Sequence, residues 1–116
     1  MKTGLTLFSL TVLAALVGIS IWATDRISIV PVIEAVVQRP GEGHTPWLVA
    51  TLFDAYFGFL WFWLWIAYKE TSATARVAWL VSILVLGNMA MAIYMLWQLW
   101  RLPPAARAQD LLLRRA

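Results

Sequence analysis

Cysteine is absent from the 116-residue chain, which excludes disulfides, thiolate metal sites, cysteine nucleophiles and cysteine-linked haem together. Charge is scarce: 13 % of residues are Asp, Glu, Lys or Arg, about half the share of an ordinary soluble domain. The one histidine, His44, stands in a polar turn, where solvation or a hydrogen bond accounts for it better than ligation of haem or chlorophyll. No glycine-rich phosphate loop, pair of carboxylates or Ser/His/Asp order occurs, so the chain reads as a non-enzyme without a metal site.

Apolar residues fill the space that charge leaves. They make up 62 % of the chain, and the mean hydropathy is +0.76, too apolar for a water-facing surface of this size. Three stretches, 5–23, 47–68 and 77–100, are each long enough to cross a hydrocarbon core of about 30 Å. The expected fold is therefore all-α, one membrane domain over 1–116 with three transmembrane helices. Residues 5–23 form a longer apolar run than the core of a secretory leader and lack a small-x-small cleavage site, so they are expected to remain as the first span. Between the first two spans, Pro31 to Arg39 sets Val32, Ile33, Val36 and Val37 against Glu34 and Gln38, the pattern of a short amphipathic helix lying on the membrane surface, with Pro31 in its first turn. After Pro103-Pro104 the tail 101–116 carries Arg107, Arg114 and Arg115, suited to headgroup binding or docking. Nucleic acid is not the expected partner of this positive charge.

Three spans would set the termini on opposite sides of the membrane. A cytoplasmic C-terminus would gather Arg26, Arg39, Arg101, Arg107, Arg114 and Arg115 on one side, against Lys2, Lys69 and Arg76 on the other, so positive-inside bias favours an outside N-terminus in a bacterial inner membrane. The same topology would form two aromatic belts, Trp22, Trp47, Trp97 and Trp100 in one and Trp65, Tyr68 and Trp79 in the other.

Few polar residues interrupt the spans. Asp54 lies near one end of the second, where an ionised carboxylate requires a partner or water. Tyr94, at matching depth on an antiparallel third span, is a candidate donor to it. Tyr56 points elsewhere, about 200° around the helix from Asp54, toward a neighbour or headgroup. Asn88, near the middle of the third span, should face another helix. Ala14 and Gly18, with Thr11, form a small-residue stripe for helix packing. The run Phe57 to Trp65, with Gly58 opening a slot and Trp61 and Trp65 prominent, carries more rings than three helices can turn inward. It would suit lipid, a second protein, or a flat molecule such as a quinone, carotenoid or chlorophyll.

The stretch from Thr45-Pro46-Trp47 through Phe53-Asp54-Ala55-Tyr56-Phe57-Gly58-Phe59 to Ala67-Tyr68-Lys69-Glu70 resembles small uncharacterised bacterial membrane proteins of about three spans. The resemblance is confined mainly to residues 45–70. It implies no activity, and suggests that Asp54, Tyr56 and Gly58 belong to one local device.

The function expected from these features is that of a non-catalytic accessory or scaffolding subunit of a larger membrane complex, respiratory or photosynthetic. It would contact larger integral subunits and lipids and carry no cofactor of its own. The alternatives are a quinone- or pigment-binding module walled by Trp61 to Trp65, and a small transporter made by homo-oligomers around Asp54.

Overall fold

The structure, a computed structural model, describes residues 2–114. It is all-α, with six helices and no strand among the described residues. Helix α1, Lys2–Arg26, contains no proline, and no charge between Lys2 and Asp25, so nothing interrupts its backbone ladder. Ser28 caps α2, Ile29–Gln38, by accepting from the Val30 amide at 3.2 Å. Pro31 is thus the third helical residue, where its missing N–H would have had no intrahelical acceptor. Pro46, in the first turn, opens α3, Thr45–Lys69. Helices α1 and α3 have 25 residues each, about 37 Å at 1.5 Å per residue. Both are long and apolar enough to cross a membrane, and only 6 % of each apolar window is buried. That exposure separates them from core helices of a water-soluble fold.

The expected third span is not one helix. Ser72 caps α4, Ala73–Leu86, its hydroxyl accepting from the Ala75 amide, and α5 follows as Asn88–Trp100. Between them Gly87 adopts φ 60° and ψ −129°, a region that side chains with a Cβ rarely enter. The chain folds back there. The Trp79 and Tyr94 ring centroids lie 4.9 Å apart, and those of Trp79 and Trp97 6.0 Å, whereas a continuous helix would separate residues 79 and 94 by about 22 Å. Helices α4 and α5 form a hairpin packed on α3 and on α1.

This corrects the expected topology. Both ends of the hairpin lie beside the start of α1 and the end of α3: Lys2 Nζ donates to the Leu102 carbonyl at 2.7 Å, and Leu5 and Trp65 pack on Leu99, Leu102 and Leu111. The described termini therefore share one end of the molecule, here called the base, instead of lying at opposite ends. The aromatic belts are redrawn as well, because Trp97 and Trp100 join Trp65, Tyr68 and Trp79 near the base.

Two small cores hold the assembly. Ile66, Ile83, Ala90 and Tyr94 are buried together under Phe59, Phe62, Trp63 and Trp79. Leu99, Leu102 and Leu111 form the second, at the base. The tail contributes through α6, Ala108–Leu112, whose Asp110 carboxylate accepts from the Arg107 amide at 2.8 Å.

Candidate functional site

The polar groups of the chain fall into three places: a knot at the base, a recess beside the hairpin, and the open far half of α3. Tyr94, fully buried, forms the centre of the knot. Its hydroxyl donates to Glu70 Oε1 at 3.0 Å, and Phe62, Trp65 and Trp79 surround its ring edge-on. The expected bond from Tyr94 to Asp54 is not made, because the reversal at Gly87 carries Tyr94 to the opposite end of α3. Arg76 Nε donates to the carbonyls of Ala67 and Glu70 at 2.9 and 3.0 Å. It thereby satisfies acceptors that the end of α3 leaves without intrahelical partners, and places positive charge at the negative pole of that helix. Trp63 Nε1 donates to the Arg76 carbonyl at 2.9 Å.

The tail closes over this knot. Trp65 Nε1 donates to the Leu112 carbonyl at 3.1 Å, and Lys69 Nζ to that of Leu111. Arg114 Nε donates to the Tyr68 carbonyl, and its guanidinium stands 5.1 Å from the centre of the Tyr68 ring. Arg114 thus docks within the chain. Arg107 serves through its backbone as the cap of α6, and Arg115 lies outside the described residues.

Toward the hairpin tip, Tyr56 Oη donates to the Leu84 carbonyl at 3.0 Å, and Phe59 lies against Gly87. Tyr56 therefore ties α3 to α4. Asp54, Tyr56 and Gly58 do not converge: Gly58 has open space where a Cβ would stand, and Asp54 is exposed with no partner among the described residues. Trp61 is exposed, whereas Trp65 is half-buried between Tyr94 and the tail. The Trp61 to Trp65 run consequently makes no common wall. The Ala14 and Gly18 stripe also faces outward, with nothing within 4 Å of a Cβ on Gly18. Helix α1 packs instead through Leu5, Ser9, Val12 and Leu16.

Between that face of α1, helix α5 and Phe62 lies a recess of about 510 Å³, apolar except for Ser9 and Asn88. Asn88, expected to face another helix, is exposed and lines this space. Sequence reasoning gave Ser9, Glu70, Arg76 and Gly87 no site role. Ser72 with Arg76 one turn later was the legible sign of a helix start beside a helix end, and Gly87-Asn88 was the legible sign of a turn.

Charge separates along the same axis. Near the base stand Lys2, Lys69, Arg76, Arg101, Arg107 and Arg114 with Glu70 and Asp110; the connection between α1 and α3 carries Arg39, Glu34 and Glu42, beside Asp25 and Arg26. Among the described residues, no group of three His, Cys, Asp or Glu side chains could hold a metal ion.

A family model described as Protein of unknown function (DUF1475) matches residues 6–115. The chain belongs to that family. The match takes in the hairpin and most of the tail, well beyond the 45–70 stretch on which the resemblance first rested. No curated protein and no solved structure matches the chain.

Proposed function

We propose that this protein is a non-catalytic accessory subunit of a larger complex in a bacterial inner membrane, with α1 and α3 crossing the bilayer and the α4–α5 hairpin entering and leaving from one face. The lengths support that arrangement. Helices α1 and α3 exceed a hydrocarbon core of about 30 Å, whereas α4, with 14 residues, reaches only about 21 Å. The charge separation supports a cytoplasmic base, with both termini on that side, because basic residues are retained on the cytoplasmic face.

Asp54 is the observation that carries the accessory role. It stands nine residues into α3, about 14 Å along the helix, exposed and just short of Tyr56, which bonds the hairpin. A lipid-facing carboxylate at such a depth is expensive unless another group pairs with it. A second copy of this chain supplies no basic group there, since between Thr3 and Ala23, Pro46 and Tyr68, or Val77 and Trp100 there is no lysine, arginine or histidine. A different membrane protein with a basic group at that depth does. The surface area agrees: 8272 Å² is accessible, against about 6,400 Å² for a compact monomer of this mass.

The test is native mass spectrometry of the tagged protein extracted gently from its own membrane, beside the Asp54→Leu variant. The expected result is a defined hetero-complex that the variant fails to form, while the isolated variant keeps its helix content and inserts at least as well. A monomer or pure homo-oligomer across several mild extractions would sink the reading.

A further inference from the structure

The recess beside the hairpin contains an unused pair of hydrogen-bonding groups. Leu5, Val12 and Leu16 of α1, with Met91 and Met95 of α5 and Phe62 of α3, make its walls. Such a lining, with methionines that adapt to an irregular guest, suits an apolar molecule. Ser9 lines the same space at 4 % exposure, and its hydroxyl has no partner among the described residues. By contrast, Thr11, Thr24, Thr51 and Ser82 each return the hydroxyl to the carbonyl one turn back at 2.8 Å. The Asn88 amide, at the hairpin tip, is likewise without a partner and lines the recess. Hydrocarbon satisfies neither group.

Their spacing selects among guests. Asn88 lies at the Leu16 end, since its neighbour Met89 shares the next hollow with Val17 and Ile21. Ser9 is seven residues from Leu16, so the two donors stand about 10 Å apart along α1. A para-quinone carries carbonyl oxygens on opposite edges of its ring, about 5 Å apart, and a hydrogen bond of about 2.8 Å at each gives a donor separation of about 11 Å. An acyl chain or a carotene offers nothing to either donor.

We propose that this recess binds the ring of an isoprenoid quinone, with Ser9 donating to one carbonyl and Asn88 to the other. The isoprenoid tail leaves through the open side of the recess into lipid. The site binds the ring without changing its redox state. This inference rests on the membrane placement proposed above, and is independent of the accessory role.

The experiment measures equilibrium binding of radiolabelled decylubiquinone to the full chain in phospholipid nanodiscs, with empty nanodiscs as background. The expected result is saturable uptake of one quinone per chain, weakened roughly 3- to 10-fold by Ser9→Ala and by Asn88→Leu separately, and abolished by both together. Val12→Trp, which fills the recess and leaves both donors in place, abolishes it as well, and circular dichroism verifies that each variant is folded. Asp54→Leu leaves binding unchanged, so loss of the partner complex and loss of the quinone site are read separately. Uptake no greater than that of empty nanodiscs, binding indifferent to both donor variants, or equal displacement by decane would overturn the proposal; the last would make the recess an unselective lipid slot.

Discussion

A β-carbon placed on Gly87 would stand 2.9 Å from Cζ of Phe59. The reversal of the chain and the seating of the hairpin on α3 thus depend on the same missing side chain. Gly87→Val would meet both a clash and a backbone conformation that costs about 1–3 kcal/mol for a residue with a Cβ. The midpoint of thermal unfolding in mild detergent should fall. Phe59→Ala in the Gly87→Val background should recover part of the loss, by removing the ring that the new side chain strikes.

The absence of cysteine gives a clean background for mapping the two faces. Single cysteines at Thr3 and Ala105 should react with a membrane-impermeant maleimide from the same side of sealed vesicles, and a cysteine at Glu42 from the opposite side. Labelling of positions 3 and 105 from opposite sides would restore three crossings and remove the hairpin from the bilayer.

Tyr94 unites a buried ring with a hydrogen bond to a carboxylate. Tyr94→Phe keeps the packing and loses the bond to Glu70, at a cost of about 1.5–3 kcal/mol. Tyr94→Ala loses both and should cost about 3–5 kcal/mol. Urea or mild-detergent denaturation should rank the wild type above Tyr94→Phe, and that above Tyr94→Ala.

Leu111 is 3 % exposed at the base, and the carbonyls around it hold Trp65 and Lys69. Leu111→Asp should release the tail without unfolding the hairpin. Limited proteolysis would then cut after Arg107 at a markedly higher rate, while the fragment ending at Arg107 persists. Equal cutting of both proteins would mean that the tail is not docked.

The helical class, α1, α2 and α3 were legible because each follows from composition and local signals: uninterrupted apolar runs, Pro31 at one start, Pro46 at another. The third stretch was misread because its length fits two geometries. The twenty-four residues 77–100 make one crossing of about 36 Å or two arms of about half that, and hydropathy is identical in both. Only Gly87-Asn88 distinguishes them, and an isolated glycine in an apolar run commonly sits within a continuous helix. That one error moved Tyr94 to the wrong end of α3, paired it with Asp54 and parted the termini. Asp54 was singled out from its chemistry alone. Ser9 was not, since a serine in a membrane helix usually bonds its own backbone, and its idle hydroxyl is a fact of three-dimensional packing.

A hairpin that stops partway gives the molecule unequal girth. In the bilayer arrangement proposed here, the leaflet at the base accommodates four helical cross-sections, and the opposite leaflet two. Such a body is a wedge. It displaces more lipid area from one monolayer than from the other, so many copies gathered in one patch would bend the sheet away from flatness unless a partner of the opposite taper stood beside each.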